Sequence, residues 1–86
     1  MKRWIVTCVD CGETCDGKAR TLGVFKEREE ARAFVRNDIE HWADQNAGEN
    51  IRVDFDKMNA YHMSSIDPEA YGDGCEWNIE EVDIPG

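Results

Sequence analysis

Eighty-six residues, 41 % apolar and 34 % charged with only two prolines, describe an ordinary globular chain, not a disordered one. That length allows one domain (1–86) with a thin core, and it excludes a large enzyme built around an internal substrate cavity. The formal charge of −9 is uneven, with eight Lys and Arg against six acids in residues 1–36 and two against thirteen in residues 37–86, so direct nucleic-acid binding or adhesion to anionic membranes is not expected.

Residues 3–10 (RWIVTCVD) are rich in β-branched and aromatic side chains and read as a strand that runs into a turn at Asp10-Cys11-Gly12. Residues 18–25 return as a second strand, making a hairpin whose tip is CGETCDG. The apolar run Trp4-Ile5-Val6 is too short for a signal-peptide core or a membrane span, and a cytoplasmic protein is expected. Residues 27–46 form the clearest helix, because Ala31, Phe34, Val35, Ile39 and Trp42 recur at spacings of three and four. Glu27, Glu29 and Glu30 sit at its positive end, and Gly48 ends it.

Ile51, Val53 and Phe55 alternate with Arg52, Asp54 and Asp56, which predicts a strand with one buried face. A weaker strand follows at residues 60–64, after a turn near Lys57-Met58-Asn59. Asp67-Pro68 can open a single helical turn through Tyr71, stopped by Gly72. The last strand, residues 75–84, places Cys75, Trp77 and Ile79 on one side and Val82 and Ile84 on the other, which predicts a bulge near Glu80-Glu81. The order ββαβββ gives an α+β fold, a small antiparallel sheet with one helix on one face. Strand 1 is apolar on both parities, so it is central or has its second face covered by a loop, another protein or a second copy in a homodimer.

Cys8, Cys11, Cys15 and Cys75 form a C-x2-C-x3-C run with one distant partner. In a zinc site C-x2-C brings two thiolates to one ion from a tight turn, and a second pair completes the tetrahedron. If the first and last strands are antiparallel, all four thiols lie at one end of the sheet. No second C-x2-C is present, however, and Cys8 has apolar neighbours suited to a core. Reduced thiols without a cofactor are therefore expected, with a zinc-stabilised structural or adaptor domain as the alternative and a disulfide or redox role as the third reading. Cysteine catalysis would need a histidine base beside its thiol, and His41 and His62 read as surface or boundary residues. No enzyme is expected.

Asp54 and Asp56, together with Glu76 and Glu80, take the outward phase of their strands, and adjacent strands would put them side by side. No calcium loop of the D-x-D-x-D-G type is present. A solvated sheet face is the plain reading of these acids. The sharper one is recognition, since the lysines and arginines that hold phosphates also accept carboxylates.

The first strand RWIVTCVD, the segment GVFKEREEARAFV and the closing strand CEWNIEEVDI resemble, in size, charge and element order over most of the chain, the small acidic proteins of bacteriophages and mobile elements. Some of those are inhibitors of host-defence nucleases, including anti-CRISPR proteins. The resemblance implies a protein-binding inhibitor, and no functional residue is carried over from it. The leading expectation is thus an acidic module that binds a protein with a basic surface, in its sharpest form a nucleic-acid mimic acting on a nucleic-acid-binding enzyme.

Overall fold

The computed structural model of the chain describes residues 1–11, 19–63 and 71–85. Its elements are β1 (Lys2–Cys11), β2 (Ala19–Phe25), α1 (Arg28–Gln45), β3 (Ile51–Asp54), β4 (Asn59–Met63) and β5 (Tyr71–Asp83). The strands form one antiparallel sheet in the order β2-β1-β5-β4-β3, with α1 on one face, and the fold is α+β. The expected hairpin tip and helical turn fall largely on residues 12–18 and 64–70, outside the described residues.

The spine of the sheet is the β1–β5 ladder, unbroken from Lys2 opposite Asp83 to Cys11 opposite Gly74. The bulge expected near Glu80-Glu81 is absent, because Trp4–Glu81 and Arg3–Val82 continue the register without a slip. Val82 lies on the face away from α1, as simple alternation from Trp77 and Ile79 requires. Irregularities sit elsewhere. Between Val6 and Thr7 the register shifts so that Leu22 of β2 is the extra residue, and it packs against the core. A second shift separates the pairs Tyr61–Gly74 and Met63–Tyr71.

Val6 and Cys8 of β1, Ala60 of β4 and Cys75 and Trp77 of β5 meet Ala31, Val35 and Ile39 of α1 to make the core. Phe34 and Trp42 flank this stripe, half-buried, with Phe34 tilted on Phe25 at 5.2 Å between ring centroids. The Trp77 indole N–H donates to Asp38 Oδ2 at 2.8 Å, tying β5 to the middle of the helix. Glu27 provides no side-chain N-cap, whereas the Asn46 amide donates to the Trp42 carbonyl at 2.8 Å, and Gly48 follows with φ +90°.

Two boundaries correct the sequence reading. Phe55 is not a core residue of β3: the strand ends at Asp54, whose Oδ1 accepts the Lys57 backbone N–H at 2.9 Å, turning the chain. Phe55 is 41 % exposed in this turn, covered by the Arg36 guanidinium 5.1 Å from its ring centre. Tyr71 and Gly72 do not end a helix, since β5 begins at Tyr71.

Candidate functional site

Because Val6, Cys8, Cys75 and Trp77 point into the core, their neighbours in β1 and β5 point the other way, onto a sheet face that α1 leaves open. Across the β2, β1 and β5 side that face presents Val24, Ile5, Val9 and Val82, with Val24 53 % exposed. Toward β5, β4 and β3 it becomes polar. Glu76, Asn59 and Asp54 occupy one row, each opposite the next, and Val9 continues the row on β1.

The four expected acids are therefore not side by side. Asn59 of β4 separates Asp54 from Glu76, which places them two strand spacings, roughly 10 Å, apart. Glu80 lies four residues farther along β5, roughly 13 Å from Glu76, opposite Ile5. Asp56 is in the turn after β3 and lines a different surface. Arg3 and Arg52 share the open face by register, so the face mixes charges where a continuous acid array was expected.

Its most organised feature is at Gly74. A Cβ there would come within 2.8 Å of the Tyr61 Cα and 2.5 Å of its ring, so only glycine lets β4 approach this closely. The Tyr61 hydroxyl then donates to Glu76, fixing one carboxylate of the open face. A shallow depression of about 280 Å³ adjoins it, between Arg52, Asp54, Lys57, Asn59 and Tyr61. A larger open groove of about 1120 Å³ lies on the helix side, where Arg28, Arg32 and Arg36 line one wall and Trp4, Phe55 and Asp56 contribute to the rest.

The cysteines divide. Cys8 and Cys75 are buried, free thiols on the helix side of the sheet. Cys11 ends β1 with its backbone opposite Gly74, and Cys15 lies outside the described residues. Beside the two thiols stands Asp10, which in the sequence only ends the first strand and opens a turn. The Cys75 thiol donates to Asp10 Oδ1 at 3.2 Å, and the Arg20 guanidinium reaches the same oxygen at 3.3 Å. The hydrogen bond with Cys75, reinforced by Arg20, lowers the Cys8 pKa from its ordinary value against the opposing effect of burial. The same bond raises that of Cys75, together with burial and Asp10. One thiol thus holds its proton firmly while the other releases it more readily.

His41 is exposed on α1, and His62 packs edge-on against Trp42 at 5.3 Å with Glu49 3.8 Å from its Nδ1. The polar interactions of Cys8 and Cys75 run, among the described residues, to each other, Asp10 and Arg20. Among the described residues, no helix is long and apolar enough to cross a membrane. Comparison with protein-family models, with curated proteins and with solved structures gave no match.

Proposed function

We propose that this chain is a protein-binding module that works through the sheet face opposite α1 and takes a partner with a basic surface beside an apolar strip. The observation that carries the reading is the composition of that face. Ile5, Val9, Val24 and Val82 supply apolar area toward the β2 edge, directly beside Glu76 and Glu80 and on the same face as Asp54, so that one face offers apolar contact and carboxylates side by side, with Arg3 and Arg52 at its periphery. The chain's −9 charge would steer a basic partner toward it over about a Debye length. Inhibition of a nucleic-acid-binding enzyme such as a host-defence nuclease is the sharpest form of the proposal, supported by that charge and by the resemblance to small acidic phage and mobile-element proteins.

The test compares capture of proteins from cells of the source, measured by quantitative mass spectrometry, for wild type and two variants of equal charge change. Glu76→Lys/Glu80→Lys alters the open face, and Glu30→Lys/Asp44→Lys alters exposed positions of the helix. A specific partner should be lost at least ~10-fold with the first variant and kept with the second, and should weaken as salt rises. Equal capture by all three proteins would remove the open face as the site.

A further inference from the structure

We propose that Cys8, Asp10 and Cys75 form a binding site for a thiophilic divalent cation of the zinc class, at the end of the sheet where β1 finishes and β5 begins. The register creates it. Asp10 stands opposite Cys75 and Cys8 opposite Trp77, so all three side chains share the helix side of the sheet and the two cysteines are diagonal neighbours. Their ligand atoms all lie within 4.8 Å of one another. Tetrahedral ligands about 2.0 to 2.3 Å from an ion stand roughly 3.3 to 3.8 Å apart. Cys75 Sγ and Asp10 Oδ1 are already 3.2 Å apart, and no pair has to close by more than about 1 to 1.5 Å to take one.

Two buried thiols serve a core as small hydrophobes, but here they stand beside the partly exposed Asp10 carboxylate, which makes the cluster a donor set of two sulfurs and one oxygen at the edge of the core. Arg20 supplies one positive charge from β2, opposite Cys8. A divalent ion would supply two more, and together these balance two thiolates and one carboxylate. Two sulfur ligands favour zinc-class ions over calcium or magnesium, which prefer all-oxygen shells. The Asp10 side chain is 44 % exposed while Cys8 is buried, so the ion has a route in from solvent and an enclosed end to its site. Three protein ligands leave the fourth tetrahedral position open.

The experiment uses the reduced full chain loaded with zinc and, separately, with cobalt. X-ray absorption of the zinc protein should show two sulfurs near about 2.3 Å and lighter atoms near about 2.0 Å. Cobalt should give thiolate charge-transfer bands at one equivalent per chain, abolished in Cys8→Ser and Cys75→Ser and retained in Cys11→Ser/Cys15→Ser. Asp10→Asn, at a partly exposed position that leaves the fold intact by circular dichroism, should weaken affinity at least ~10-fold. The proposal is overturned by a wild-type chain that takes up no stoichiometric metal when reduced, or by a four-sulfur shell without a light atom. Metal lost from the Cys11/Cys15 variant but kept by the other two cysteine variants would overturn it equally.

Discussion

The two faces of the sheet are made by the same strands and do different things. In β1, Val6 and Cys8 are buried against α1, while Ile5 and Val9 on the opposite parity remain half-exposed. In β5, Cys75 and Trp77 enter the core, while Glu76, Asn78 and Glu80 are exposed. One face carries the burial that stabilises the fold, and the other carries apolar and charged groups with no element of the described chain packed over them. Amphipathic strands separate stability from recognition by parity alone, so a substitution one residue along the chain should change which property it affects.

The largest expected contrast is between Ile39 and Ile5. Ile39→Ala empties a fully buried position and should cost about 2 to 5 kcal/mol in denaturant unfolding, most of the stability a small domain has. Ile5→Ala should cost about 1 kcal/mol or less in the isolated chain. Equal costs would mean that the second face is also covered, by a second copy for example, and a concentration-dependent midpoint would then identify that association.

Gly74→Ala comes next, at about 2 to 3 kcal/mol, because its Cβ meets β4 backbone that cannot move aside. Gly72→Ala, 3.2 Å from the His62 carbonyl, should cost distinctly less by the same assay. Amide exchange should speed up through β3 and β4 in the Gly74 variant while β1 and β2 stay protected.

Asp38→Ala leaves the buried Trp77 N–H without its acceptor and should cost about 1 to 3 kcal/mol, with Asp38→Asn recovering part of the loss. Calorimetric midpoints in the same order would establish the bond as a stabilising one. The smallest effect on folding is expected for Glu76→Lys/Glu80→Lys, within about 1 kcal/mol, even though this variant should have the largest effect on partner capture. If it unfolds the protein instead, the separation of the two faces fails.

How much of this was legible in the sequence depends on the range of the interaction involved. The helix was read within a residue or two because its stripe is local: Ala31, Val35 and Ile39 are spaced by the helix itself. The apolar residues of β1 on both parities leave a choice between an interior strand and a covered second face, and the structure places β1 inside the sheet, between β2 and β5. Phe55 misled because its alternation continues beyond the strand, while the Asp54 side chain bonding to the Lys57 N–H ends it, an event that period-2 counting does not register. The bulge predicted in β5 came from assuming that apolar residues must share one face, whereas Val82 lies on the open one. Asp10 as a candidate ligand is invisible in the sequence for another reason. A carboxylate at a strand end is unremarkable until the register places Cys75, 65 residues away, beside it. The same holds for Asp38 and Trp77, where neither residue marks the other in the sequence.

The neighbourhood of β1 and β5 in the strand order has a kinetic consequence. The longest ladder of the sheet joins the first strand of the chain to the last, with partners as distant as Lys2 and Asp83. Contacts of such sequence separation carry a high loop-closure entropy and slow the folding of a chain relative to one built from local hairpins. During synthesis β1 can pair with β2 as soon as both leave the ribosome, but its other edge, with the Val6 and Cys8 core beside it, has no partner until β5 emerges. Until then that edge is a template for intermolecular strand pairing, and the yield of folded protein is set by how quickly the last thirteen-residue strand arrives to occupy it.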